Sequence, residues 1–524
     1  MSLQSLSKTN SQNSSNIEAG SKADNFFDTS HLKADIKGHS VRGGVVTVTS
    51  QGLKFILRTG STTILARLLT PEDFGLIAMV SVFTEFVNLF KDLGLSMATI
   101  QKKDITHKQV STLFWINIAV SCFLMLVTIM ISPLVAWFYG EPRLLLITIA
   151  IGGTFIFGGL VAQHTALMRR QMRFRTIEII EIISLSTGIV AAIIAALSGL
   201  SYWALVVMMA VKGLTYVICV WRVSKWRPDW PGRSSGVRSM LAFGGSLTGS
   251  NILGYFSKNS DNLIIGYALG PAVLGIYAKA YGLLTLPMSQ LNWPLRSVMI
   301  PSLSRLQDEP KQYCRFFLQA LSAIAIVAMP VAAFLFVAAD EIVDILLGSQ
   351  WKAVVVTFRC LAPAAFLSTI SFAPSWLFIS LGRAGTQLRI MILGTPITVI
   401  GFLIGVNWGI NGVAISFSIT WTSIFIISII WACYKSPIEF YDICKALIVP
   451  VFSSLLSAAG AGFSRIIVLE SNIIVRLAVS TLVFVFCYFI CVIATPAGRR
   501  IIRSMINALS ALRKKPVTPV IIDR

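Results

Sequence analysis

Gln51, Lys54, Arg58 and Thr62 are spaced by three or four residues inside an otherwise apolar run, so they share one face of a helix. Ser81, Glu85, Asn88, Lys91 and Asp92 form a second stripe of this kind. Asn251, Gly254, Lys258, Asp261 and Asn262 form a third, and Lys279, Thr285, Ser289, Asn292 and Arg296 a fourth, interrupted by Pro287. Across the four faces six cations (Lys54, Arg58, Lys91, Lys258, Lys279 and Arg296) stand against three carboxylates (Glu85, Asp92 and Asp261). Local pairing, as of Lys258 with Asp261 or Lys91 with Glu85, could neutralise single members. The set as a whole keeps surplus positive charge. Lysine and arginine suit phosphate oxygens, arginine as a bidentate fork, so the chemistry on offer is non-covalent capture of an anion. Glu85, Asp92 and Asp261 serve as charge balance or couple to protons or sodium ions, with charge balance favoured.

The elements that carry these stripes are membrane helices. The 524-residue chain is 55% hydrophobic and only 13% charged, about half the charged fraction of a soluble domain. Apolar runs of about 20 residues, long enough to cross a bilayer, recur throughout. A charge at mid-helix costs on the order of 3 kcal/mol on insertion scales, so four charged faces must turn away from lipid, and a shared central cavity is the economical place. Lys212 and Arg476 are expected to snorkel to helix ends instead.

Fourteen spans are predicted. The first six run 44–66, 74–100, 112–138, 144–167, 177–199 and 201–220, and the next six 242–267, 272–299, 316–338, 353–380, 388–405 and 411–432. The last pair is 446–463 and 474–495. Most of the 44 Lys and Arg fall in the tails and in alternate loops, including "RRQMRFR" at 169–175 and "WRVSKWRPDWPGR" at 221–233. The other side holds only Arg67, Arg143, Lys352 and Arg465. The positive-inside rule then puts both termini in the cytoplasm. Topology and anionic lipid account for the net charge of +21, and nucleic-acid binding is the poorer explanation.

A repeat organises the spans. "LLTPEDFGLIAM" (68–79) and "ALGPAVLGIYAK" (268–279) share Leu69/Leu269, Pro71/Pro271, Gly75/Gly275 and Ala78/Ala278 at a constant offset of 200 residues. Gly44/Gly244, Ser50/Ser250, Leu53/Leu253 and Ile64/Ile264 extend the match, and Arg58 aligns with Lys258. The offset covers six spans, an even number, so both halves enter the membrane in the same direction about an axis along its normal. The predicted fold is all-α and polytopic, with about 14 transmembrane helices as two six-helix lobes in parallel pseudo-twofold repeat plus two C-terminal helices. Its segments are a disordered cytoplasmic tail (1–40), an N-lobe (41–240), a C-lobe (241–440), the last helix pair (441–496) and a basic cytoplasmic tail (497–524).

Enzyme classes are disfavoured. There is no phosphate-loop, nucleophile-elbow or zinc-protease motif, and the eight cysteines and four histidines form no metal-like cluster. Neither a metal nor another cofactor is expected. The longest loop on the less basic side, "ADEIVDILLGSQWK" (339–352), reads as a short amphipathic interfacial segment, too small for a polymerase or ligase domain.

Three stretches carry a resemblance: 64–106, "LMRRQMRFRTIE" (167–178) and "DEIVDILLGSQWKAVVVTFRCLAP" (340–363). They are similar to the polysaccharide-transport branch, Wzx flippases of the colanic-acid-exporter type, of the multidrug/oligosaccharidyl-lipid/polysaccharide exporter superfamily. The resemblance implies a bacterial inner-membrane flippase working by alternating access. It would carry an undecaprenyl-diphosphate-linked oligosaccharide from the cytoplasmic to the periplasmic leaflet, alongside polysaccharide polymerase machinery. The diphosphate would sit against Lys54, Arg58 and Lys258. A multidrug or cation antiporter of the same superfamily is the alternative, but it would be expected to offer surplus cavity carboxylates rather than surplus cations.

Overall fold

The computed structural model describes residues 36–91, 94–102, 105–231, 255, 259–468 and 472–513; side chains are described from residue 49 onward, except 286–298 and 508–513. Asp92, Lys258, the Arg296 side chain, most of the predicted seventh span and most of both tails lie outside the described residues. Among the described residues every regular element is helical. Nine stretches of the described residues are long and apolar enough to cross a membrane, one of them the 50-residue run Ala384–Cys433 that holds two helices. The chain is an all-α polytopic membrane protein.

The opening helix α1 (Ile36–Leu68) starts inside the stretch expected as tail and ends at the "LLTP" turn. There Thr70 caps α2 (Pro71–Asn88): its hydroxyl accepts from the Asp73 amide at 3.3 Å, and the Asp73 carboxylate accepts from the Thr70 amide at 2.8 Å. Pro71 occupies the first turn, where its missing N–H costs nothing. The second span was predicted to run to residue 100, yet α2 stops at Asn88 and a short α3 (Leu95–Gln101) follows. Gly94 makes the restart possible by taking φ +68°, a conformation without penalty only for a residue lacking Cβ. Lys91 therefore lies in a break rather than on a continuous stripe.

The rest of the first unit comprises α4 (His107–Tyr139), α5 (Arg143–Gly153), α6 (Phe155–Arg170), α7 (Phe174–Leu197), α8 (Trp203–Ser224) and a segment, α9, at 259–269. The predicted fourth span is divided at Thr154, whose hydroxyl donates to the Ile151 carbonyl at 2.7 Å and competes with the helical ladder. Helix α7 packs on α1 and on α8.

The duplicated skeletons meet within this unit, which extends through Gly275. A Cβ on Gly75 would fall 1.7 Å from the carbonyl oxygen of Pro271, and one on Gly275 would fall 1.9 Å from that of Pro71. The contact is reciprocal. Each glycine admits the first turn of the other repeat, which is why both copies keep Gly four residues after Pro.

The second unit begins at Ile276, inside α10 (Pro271–Arg305). That helix continues through Pro287, where the sequence predicted an interruption. Then come α11 (Pro310–Val337), a short α12 (Ala339–Leu346), α13 (Lys352–Ser368) and α14 (Ala373–Ser380). The unit closes with α15 (Ala384–Gly405), α16 (Gly409–Cys433), α17 (Phe440–Ile467) and α18 (Ile473–Ala494). Where a basic tail was expected, α19 (Pro496–Arg513) is helical. Tyr313, Phe317, Trp376 and Phe378 form the heart of the second unit's core.

An ion cluster ties the last helix pair to α12, the predicted interfacial segment. Arg465 on α17 reaches Asp340 at 2.7 Å and Glu341 at 2.9 Å, Arg476 on α18 reaches Glu341 at 2.8 Å, and Arg359 on α13 reaches Asp340 at 2.6 Å. Arg476 thus sits near a helix end, as expected of a snorkelling residue, but pairs with a buried carboxylate. Burial pushes the Asp340 carboxyl up, while the Arg465 and Arg359 guanidiniums outweigh it and hold the group below its usual 3.8. A carboxyl depressed in the folded state stabilises above its unfolded pKa and loses that contribution as pH falls through the folded value. Thermal melts of the purified protein are therefore expected to drop as pH falls below the usual carboxylate value, and to drop less for Asp340→Asn.

Candidate functional site

The cationic stripe of α1 is fixed by its neighbour α7. The sequence of α7 opens "FRTIEIIEII", which sets Glu178 and Glu181 three residues apart on one face. Both reach Lys54 of α1: the Lys54 ammonium lies 2.8 Å from the Glu178 carboxylate and donates to that of Glu181 at 2.7 Å. The Lys54 side chain is only 5% exposed, so these carboxylates are its solvation. Arg58, one turn further along α1, is exposed. Lys212 on α8 lies within electrostatic reach of Lys54, Arg58 and Glu181. It belongs to this cluster, whereas the sequence assigned it to a helix end. The site in the first unit is thus three cations, Lys54, Arg58 and Lys212, against two carboxylates.

The other residues singled out from the sequence are distributed differently. The Lys91 side chain runs across Gly158, leaving no room there for a Cβ, and its ammonium stands 6.0 Å from the centre of the Phe155 ring. Glu85 is exposed on α2 and lies within electrostatic reach of the Tyr255 hydroxyl, which donates to the Val82 carbonyl. Asp261 is buried, and its carboxylate accepts from the Asn262 amide at 2.8 Å. In the second unit Lys279 stands 6.0 Å from the centre of the Trp351 ring, a cation–π distance. Arg296 has its backbone in α10.

Glu178 and Glu181 are the functional candidates that sequence reasoning missed. The signal was present: two acids three residues apart in an apolar helix carry the same insertion cost as the cations. An inventory of basic residues passes over them.

A sequence model of a family described as "Polysaccharide biosynthesis protein" matches residues 64–356, more than half the chain. The chain belongs to that family. Its relatives include the lipopolysaccharide biosynthesis protein WzxC of Escherichia coli (strain K12), 24% identical over 71% of this chain and 76% of the relative. The teichuronic acid biosynthesis protein TuaB of Bacillus subtilis (strain 168) is 26% identical over 63% of this chain and 68% of the relative. Among solved structures, the lipid II flippase MurJ in an inward closed conformation superimposes with a TM-score of 0.68 at 12% identity, covering 86% of this chain and 98% of that one. An inward-facing multidrug resistance transporter of the MATE family, of the MOP superfamily, gives 0.58 at 13% identity over 72% and 94%. These likenesses show the fold alone: this polysaccharide biosynthesis protein shares the helical architecture of those two transporters.

Proposed function

We propose that this polysaccharide biosynthesis protein is a flippase, a transporter rather than an enzyme, for a polyprenyl-diphosphate-linked oligosaccharide. It would move the undecaprenyl-diphosphate-linked glycan from the cytoplasmic to the periplasmic leaflet of the bacterial inner membrane by alternating access. Both termini and the "RRQMRFR" loop would then face the cytoplasm, and polymerase machinery would take up the product.

The observation that carries this reading is the cationic cluster of Lys54, Arg58 and Lys212 on helices α1 and α8 in a family of polysaccharide biosynthesis. A diphosphate presents several oxygens to several donors, and charge-assisted hydrogen bonds to them are the strong kind. Lys91, Lys258 (the repeat partner of Arg58), Lys279 and Arg296 would be the further cations of the anion-binding set, with Glu85, Asp92 and Asp261 as charge balance. The surplus of cations supports a lipid diphosphate over a drug or metal cation.

Replacing Arg58 and Lys258 together by alanine is expected to reduce surface polysaccharide at least about tenfold, one decade per 1.4 kcal/mol of lost anion binding, at unchanged protein level and insertion. Normal polymer output from that double variant would overturn the diphosphate reading.

A further inference from the structure

Lys54, the most buried cation of the site, is already occupied. Glu178 and Glu181, both from α7, hold its ammonium at 2.8 and 2.7 Å. This arrangement is costly for a site meant only to attract anions, because two negative charges stand where the ligand's oxygens would go. We propose that Glu178 and Glu181 act as a resident counter-anion that sets a charge threshold. A ligand must bring enough negative charge to displace them from Lys54, and a lipid diphosphate does so while a singly charged phosphodiester headgroup does not. The inference rests on the diphosphate reading above and adds the means of selectivity.

The argument is one of competition. A polytopic membrane protein is surrounded by phospholipid phosphates in large excess over any lipid-linked intermediate. Three bare cations, Lys54, Arg58 and Lys212, would bind those headgroups unselectively, since a phosphodiester is an adequate partner for a lysine. With the two carboxylates present the cluster's net charge falls from three positive to one. The carboxylates are tethered to the same fold, so their effective concentration at Lys54 is high and a weak single-charge ligand loses the exchange. A diphosphate can engage Lys54, Arg58 and Lys212 together and so offset the displaced pairs. The exchange also aids release: when the diphosphate leaves, the carboxylates return to Lys54, so the cation is never left buried and unpaired. Glu181, with about a third of its side chain exposed, is free to swing away, whereas Glu178 is nearly buried.

The test uses the full-length protein in nanodiscs, with undecaprenyl diphosphate as probe and phosphatidylglycerol as competitor. Wild type is expected to bind the probe with little sensitivity to phosphatidylglycerol. Glu178→Gln/Glu181→Gln is expected to bind phosphatidylglycerol about tenfold more tightly and to lose its discrimination, because amides cannot neutralise Lys54. Glu181→Gln alone, which leaves Lys54 paired with Glu178 and so protects folding, is expected to shift part of the way in the same direction. A purely structural pair would instead give weaker binding of every ligand. If the glutamine variants are monodisperse and discriminate as well as wild type, while Lys54→Ala weakens probe binding, the threshold is wrong and the diphosphate reading stands. If Lys54→Ala binds the probe as tightly as wild type, both fall for this site.

Discussion

Gly275→Ala is expected to abolish polysaccharide export while leaving the protein in the membrane. Its new Cβ would sit 1.9 Å from the Pro71 carbonyl oxygen, with the Pro71 carbon at 2.8 Å and the Gly75 nitrogen at 3.0 Å. All three are backbone atoms, so no side chain can rotate away, and the two helix starts must separate. Overpacking of this kind costs about 1–3 kcal/mol even where the surroundings can adjust. Gly75→Ala is expected to behave alike, since its Cβ would meet the Pro271 carbonyl at 1.7 Å. Gly462→Ala, in the interior of α17 with nothing within 4 Å, serves as the control and should be neutral or slightly stabilising. Surface polysaccharide output and the melting temperature of purified protein are the measurements. Wild-type values for Gly275→Ala would show that this conformation is not required.

Glu341→Gln is expected to destabilise the second unit by about 3–5 kcal/mol, the usual effect of leaving buried charges without their partner. The Glu341 side chain is 0% exposed and lies 2.9 Å from one Arg465 nitrogen and 2.8 Å from Arg476. Arg465 further donates to the Val337 carbonyl and to Asp340 at 2.7 Å, so it cannot leave with the lost charge. The amide preserves shape, which assigns the loss to charge rather than packing. Adding Arg476→Gln should recover part of the stability, because one of the orphaned cations is then gone. Thermal unfolding of the single and double variants decides this; an additive double variant would mean that Glu341 and Arg476 do not interact.

How far the sequence could be read follows from which properties are local. Hydropathy over about 20 residues is local, and the long helices from α4 to α18 fall close to their predicted spans. The exceptions are local features seen only in the structure: α2 stops at Asn88 and the chain restarts at left-handed Gly94, Thr154 divides the fourth span, and a turn at 369–372 divides the tenth. Pro287 failed the other way, because a helix can absorb one missing hydrogen bond where neighbouring groups compensate. Continuity of a helix through proline is decided by packing.

The site was legible as an inventory and not as a set of pairs. Helical spacing put Lys54 and Arg58 on one face, and the repeat matched the two proline–glycine skeletons. Both rest on periodicity alone. That Lys54 is held by Glu178 and Glu181 depends on α1 meeting α7, with 127 residues between Lys54 and Glu181. That Arg476 pairs with Glu341 depends equally on α18 meeting α12. The sequence by itself determined that charged residues recur at helical spacing within apolar runs and that cations outnumber acids in the four stripes. Only the tertiary structure decided which carboxylates Lys54, Arg465 and Arg476 pair with, because ion pairing acts over a few ångströms between helices that the chain order leaves far apart.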